Sequence, residues 1–299
     1  MGSHLCDALL AEGHSVFAVD NLLTGRLENI QHLRRDPRFE FQQLDICEPF
    51  DLGRVDYVFH FASPASPADY MRLGVLTLKV GSYGTFNALD LSRKYNARFI
   101  LASGSAVYGV PQVQPQDESY WGFANSVGPR SVYVEAKRLS EVAAVAYRRY
   151  YGTDTHIARI FYTYGPRMKL KDQRVISNFM YQALLGKDLT IHGDGSQRRS
   201  FCFITEMIDG ILRLAKSDEC QPVNFGRPDN ITVFECAQTV LRVTGSASKI
   251  TYRKLPDEDP QVQQPDISRG RTKLEWEPKI DLEAGLRLSL DYFRRAIEE

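Results

Sequence analysis

Tyr133 and Lys137 stand four residues apart in Tyr133-Val-Glu-Ala-Lys137. That spacing puts a phenol and an ammonium on one face of a helical turn. A nearby ammonium favours the phenolate and lowers its pKa from about 10, so the pair can act as a base near neutral pH. The same spacing also arises by chance, and its meaning rests on what surrounds it. Upstream, Ser103-Gly104-Ser105 closes one short apolar run, and Asp20 ends another, Ser15–Asp20. A carboxylate at the end of a buried strand can hold ribose hydroxyls and would repel a 2′-phosphate, favouring NAD over NADP. The competing reading of Asp20 is a turn cap.

Positioning these groups requires alternating strands and helices, and the pattern supplies them. A helix is predicted over Ser3–Glu12 with Gly13 closing it, then strands at Ser15–Asp20, Phe39–Leu44 and Val55–Phe61. A helix over Val75–Tyr95, a strand at Arg98–Ser103, a long helix over Ser131–Tyr151 and a strand at His156–Phe161 follow. This rhythm predicts an α/β fold with a doubly wound, largely parallel sheet. Residues 1–165 then form a nucleotide-binding core and 166–299 a smaller mixed substrate module, with part of 206–230 returning to the core. Leu255–Asp266, with its prolines and acids, reads as an extended strap.

Composition narrows the function classes. In 299 residues, 43% hydrophobic, 37 basic side chains balance 37 acidic ones, so no basic excess points to nucleic acid. The longest apolar stretches, such as Val55–Ala62, fall far short of the roughly 18–20 residues of a membrane span, and no export leader is evident. Cys6, Cys47, Cys202, Cys220 and Cys236 are scattered, as expected for reduced thiols of a cytoplasmic protein. The histidines form no HxxxH or HxH pair, so no metal site is expected.

Several segments together carry a resemblance: Asp20-Asn-Leu-Leu-Thr-Gly25-Arg26, Phe61-Ala-Ser-Pro-Ala-Ser-Pro67, Tyr120-Trp-Gly122, Gly128-Pro-Arg130, Tyr164-Gly-Pro-Arg-Met168, Ser177-Asn178-Phe179 and Pro265-Asp266-Ile267. The chain resembles the extended short-chain dehydrogenase/reductases that act as nucleotide-sugar epimerases and dehydratases, and within them the UDP-glucuronate decarboxylase branch. The resemblance implies a Rossmann-like fold, bound NAD, a UDP-sugar substrate and a homodimer built on a four-helix bundle. The activity it implies is decarboxylation of UDP-glucuronate to UDP-xylose through a 4-keto intermediate. Tyr133 and Lys137 carry over as the base and its electrostatic partner, Lys137 also reaching the nicotinamide ribose. Gly2, Asp20, Asn21, Gly25, Arg26, Asp45, Ile46 and Ala62 carry over to the cofactor, and Pro64, Tyr162, Arg167, Asn178, Arg199 and Gln263 to the substrate. A dimer needs an exposed apolar stripe, to which Val142, Val145, Ala146 and Tyr150 are expected to contribute.

The chain also departs from that family. Of the family's first strand and Gly-x-x-Gly-x-x-Gly turn, only the last glycine, Gly2, is present, so the expected sheet lacks its first, central strand. The family's Thr-Ser-Glu is Gly104-Ser105-Ala106, leaving Ser105 as the substitute hydroxyl. Tyr162 replaces an asparagine, and Val262-Gln263-Gln264 replaces basic residues. These changes keep two alternatives open: a diverged scaffold acting on another substrate, possibly without redox chemistry, and a non-catalytic dimeric homologue.

Overall fold

The structure, a computed structural model, describes residues 1–298. Helix α1 (Gly2–Ala11) precedes β1 (Val16–Asp20), a 3₁₀ turn at Leu27–Leu33, β2 (Phe39–Gln43) and β3 (Tyr57–His60). Next come α2 (Pro67–Arg72), α3 (Gly74–Lys79), α4 (Thr85–Tyr95), β4 (Arg98–Gly104), α5 (Ser131–Tyr151) and β5 (Thr155–Ile160). The chain continues through β6 (Thr163–Tyr164), α6 (Val175–Leu184), β7 (Leu189–His192), β8 (Arg198–Arg199), β9 (Cys202–Phe203), α7 (Ile204–Lys216) and β10 (Val223–Phe225). It ends with β11 (Ile231–Thr232), α8 (Val233–Thr244), β12 (Ile250–Arg253), β13 (Val262–Gln263), α9 (Ser268–Leu274) and α10 (Leu282–Glu298).

Strands β10, β5, β4 and β3 form a parallel sheet in that order. Its centre is β4, where Phe99, Ile100 and Leu101 are fully buried, as expected of a strand covered on both faces. Strands β1 and β2 form a separate parallel pair. No backbone ladder joins β1 to β3 among the described residues, and β1 is half-buried along its whole length. Short ladders organise the second half: β12 beside β7, β6 beside β9, and β8 between β11 and β13. The aromatic core there includes Phe225 edge-on to Trp276, at 5.0 Å and 70°.

The helix expected over Val75–Tyr95 is interrupted by a π turn at Val80–Gly84 between α3 and α4. Two glycines account for its placement. A β-carbon on Gly81 would lie 2.7 Å from the Ala136 β-carbon, and one on Gly84 would lie 2.8 Å from Ile46 Cδ1. The backbone therefore lies directly against α5 on one side and against the residues after β2 on the other. Ser140 closes the contact by donating to the Gly81 carbonyl at 3.0 Å. This packing sets the height of α5 beside the sheet, and α5 carries Tyr133 and Lys137. Gly81→Ala is expected to lower stability by about 1–3 kcal/mol through overpacking, read as a lower urea midpoint at unchanged m-value.

Candidate active site

The C-terminal ends of the parallel strands hold the first group of residues. At the end of β1, Asp20 accepts a hydrogen bond from the Leu22 amide at 2.7 Å. A β-carbon on Gly25 would lie 2.8 Å from both Asp20 carboxylate oxygens, so the loop folds over the acid at a distance that excludes a side chain. Beyond β2, Asp45 accepts from Asn21 Nδ2 at 3.2 Å and from the Cys47 amide at 2.9 Å. The amide bond and then Asn21 hold the Asp45 carboxyl below its ordinary range. Ile46 is buried against Gly84. Half-buried Arg26 pairs with Glu28 at 3.5 Å, and half-buried Ala62 follows β3. Two acids flanked by amides at strand ends fit the hydroxyls and amine of an adenosine, at the edge where such sheets bind nucleotides. Gly2 begins α1 with open space around it, so no protein contact requires a glycine there.

Helix α5 supplies the second group. Lys137 is buried and donates to the Ala102 carbonyl on β4 at 2.9 Å. Burial lowers its pKa from 10.5 to about 8, against the opposing pull of Glu141. Its nitrogen lies 5.8 Å from the Tyr133 ring centre. Tyr133 is half-buried and stacked on Tyr70, with centroids 4.9 Å apart and planes 8° from parallel. Burial, and then Tyr70, push the Tyr133 phenol above its ordinary pKa; Arg174 pulls the other way. This runs against the simple expectation from the Tyr–Lys spacing, because burial of the phenol outweighs the pull of nearby positive charge. Behind the pair, His60 is held near pKa 3 by burial and by Lys137, and its Nε2 lies 3.1 Å from Thr85 Oγ1.

Gly104 is where a side chain would meet the phenol: a β-carbon there would lie 3.9 Å from Tyr133 Oη and 3.2 Å from the Ile160 carbonyl. The Ser103 hydroxyl donates to Glu141 at 2.6 Å, and Glu141 also accepts two bonds from Arg159, at 2.9 and 2.8 Å. Ser103 is thereby committed to a buried network. Ser105, half-buried in the following 3₁₀ turn, is the uncommitted serine.

A third group faces the same region from the second half of the chain. Arg199 on β8 is 3% exposed, and its guanidinium lies 5.5 Å from the centre of the Tyr162 ring. Asp259 receives Arg199 Nη2 at 2.6 Å on one oxygen and Arg130 Nη1 at 2.7 Å on the other. Arg130 Nε also donates to the Tyr70 hydroxyl at 3.2 Å, which links this cluster to the tyrosine stack. Buried Gln263 lies opposite Arg199 in the β13–β8 ladder. Asn178 is half-buried in the first turn of α6, and Pro64 is buried between β3 and α2. Arg167 lies elsewhere: with φ +65° it turns towards α1, 2.7 Å from Asp7 and 3.4 Å from His32. Its contacts are with the nucleotide side of the fold and not with the Arg199 cluster.

Sequence reasoning missed Tyr70, Arg174 and Asp259. Tyr70 lies just past the Ala-Ser-Pro-Ala-Ser-Pro segment and Arg174 just before Ser177-Asn178-Phe179, which was the available signal for both. Among the described residues no His/Cys/Asp/Glu cluster is arranged to hold a metal.

The buried lysine makes stability depend on pH. Below pH 8 the ammonium is charged in both folded and unfolded chains, and the fold carries the cost of burying it. Between about 8 and 10.5 the native state loses its proton first, so stability rises with pH over that window. The gain is about 3 kcal/mol if the unfolded lysine is ordinary. In Lys137→Met, urea titrations from pH 7 to 10 should lose this rise.

A family model described as the NAD-dependent epimerase/dehydratase family matches residues 1–226. Over 298 residues the chain is 42% identical to UDP-glucuronic acid decarboxylase 1 of Xenopus tropicalis, covering 100% of this chain and 70% of that one. Its backbone is similar to that of UDP-glucose 4-epimerase from Thermotoga maritima with UDP-glucose, at TM-score 0.90 and 28% identity, covering 99% of this chain and 96% of the other. It is also similar to UDP-glucuronic acid 4-epimerase from Bacillus cereus in complex with UDP-4-deoxy-4-fluoro-glucuronic acid and NAD, at TM-score 0.89 and 25% identity, covering 99% and 96%. With its parallel sheet, its strand-end acids and its Tyr133–Lys137 helix, the chain belongs to the NAD-dependent epimerase/dehydratase family.

Proposed function

We propose that this protein decarboxylates UDP-glucuronate to UDP-xylose with NAD as its bound cofactor. The observation that carries the reading is 42% identity, along the whole chain, to a protein named as a UDP-glucuronic acid decarboxylase. Residues 1–165 serve the nucleotide cofactor and 166–299 mainly the sugar nucleotide, with α7 and β10 returning to the parallel sheet. Asp20, Asn21 and Asp45 would hold the adenosine end, and Lys137 the nicotinamide ribose. When bound, NAD supplies the reversible oxidation at C4 that places a ketone β to the carboxylate. Tyr133 would take the C4 hydroxyl proton onto its Oη as the phenolate, a form that burial disfavours, and return it at the end of the cycle. Lys137 fixes the distance of α5 from the strand ends. Arg199 and Arg130 grip the anionic diphosphate, and Tyr162 lines that grip with an aromatic face. Ser105 is the hydroxyl left to contact the sugar where Gly104 and Ala106 bring none.

Protein loaded with NAD and given UDP-glucuronate is expected to release carbon dioxide and UDP-xylose. Tyr133→Phe should lower kcat by roughly 10²–10⁴-fold. The empty positions at Gly104 and Ala106 favour a second reading, a diverged enzyme acting on another UDP-sugar. UDP binding without any release of carbon dioxide would select that reading. On the first reading, Gly104→Thr combined with Ala106→Glu should raise kcat.

Two further features belong to the same proposal. Val75, Leu78, Tyr83, Phe86, Val142 and Tyr150 are exposed on the α3–α4 and α5 surfaces, a stripe suited to a four-helix homodimer. Val145 and Ala146 are only partly exposed, with Val145 packed on the core, and contribute less. Light scattering should give twice the 34.0 kDa chain mass, and Val142→Asp should shift it towards one chain. Among the described residues no helix is long and apolar enough to cross a membrane. The five cysteines are all free, which suits a reducing compartment such as the cytoplasm.

A further inference from the structure

Between β12, which ends at Arg253, and β13, which begins at Val262, the chain crosses the site as an irregular strap. Among the described residues no backbone-to-backbone hydrogen bond ties residues 255–260 to the rest of the chain. Side chains hold it instead. Asp259 bridges Arg130 and Arg199, and the Glu258 carboxylate accepts from Asn125 Nδ2 at 2.8 Å. The Glu258 carbonyl also accepts from Arg130 Nη1 at 3.4 Å. Glu258 sits at φ +57°, a left-handed conformation that costs a residue with a β-carbon. The strap is thus strained at one residue and anchored chiefly by the carboxylate of the next.

Arg199 is 3% exposed, and a guanidinium that deep needs a counter-charge. Asp259 provides it, on the two side chains that would otherwise meet the ligand's anion. We propose that Asp259 is an intramolecular stand-in for that anion. The Arg130–Arg199 pair is an anion subsite filled by the strap, and a UDP-type diphosphate enters by displacing the Asp259 carboxylate and loosening residues 255–260. This rests on the sugar-nucleotide reading above, since it assigns the diphosphate as the displacing group. Asp259 acts through the two arginines and is a positioning residue.

Competition of this kind multiplies the ligand's intrinsic affinity by the fraction of molecules with the strap displaced, so the apparent Kd is the intrinsic Kd divided by that fraction. The test is calorimetric titration of the NAD-loaded protein with UDP, comparing wild type with Asp259→Asn. If about one molecule in ten has the strap displaced, the variant should bind UDP roughly tenfold more tightly. Because the variant leaves two guanidiniums facing each other, UDP should also raise its Tm by more than it raises that of wild type. Equal or weaker UDP binding by Asp259→Asn would overturn the proposal, since a carboxylate that merely orients the arginines for ligand predicts weakening. Should that variant fail to fold, Glu258→Ala decides: it cuts the Asn125 tether without touching either arginine. Tighter UDP binding supports the stand-in and unchanged or weaker binding removes it. The two readings separate cleanly. Tightening without carbon dioxide from UDP-glucuronate keeps the stand-in and rejects the decarboxylase, carbon dioxide without tightening does the reverse, and failure of both wild type and variant to bind UDP overturns both.

Discussion

The hydrogen bond from Lys137 to the Ala102 carbonyl holds the site together. A buried ammonium is costly unless it is partnered, and here the partner is a main-chain oxygen of the central strand β4. The bond therefore fixes α5 to the sheet at the level where Tyr133 must stand. The close approach of Gly81 to Ala136, one residue before Lys137, sets the same distance from the opposite side. Helix, π turn and strand form one mechanical unit, and the phenol is carried by it.

Charge in the site is arranged in two tiers. The strand-end side presents acids, Asp20 and Asp45, held by amides and chemically suited to neutral hydroxyls and an exocyclic amine. The opposite side presents the guanidiniums of Arg130 and Arg199, with Asp259 between them. Tyr70 joins the tiers, since its hydroxyl meets Arg130 while its ring lies on Tyr133. The arginine cluster is therefore joined to the Tyr133 phenol through one hydrogen bond and one stacked pair.

What was legible in the sequence is what short-range spacing encodes. The Tyr133–Lys137 pair, the strand ending at Asp20 and the helix over Ser131–Tyr151 are all local patterns, and each stands where the periodicity puts it. Contacts between distant segments were not legible. Asp259 meets Arg130 and Arg199 across 129 and 60 residues of chain, and no local signal ties them. The electrostatics of the Tyr133–Lys137 pair were not legible either, because spacing alone does not show how deeply the phenol is buried. Arg167 misled in its direction, since a positive φ swings it to α1. The π turn was also hidden: the sequence predicted one helix over Val75–Tyr95, and only the facing Ala136 and Ile46 show why Gly81 and Gly84 are there.

One carboxylate shared by two guanidiniums leaves a surplus of one positive charge. A monovalent anion that replaced Asp259 would only restore the balance already present, while still having to be drawn from solution. A diphosphate brings enough charge to neutralise both cations at once. With a diphosphate as the proposed displacing group, the subsite would discriminate by valence before it reads the shape of any sugar.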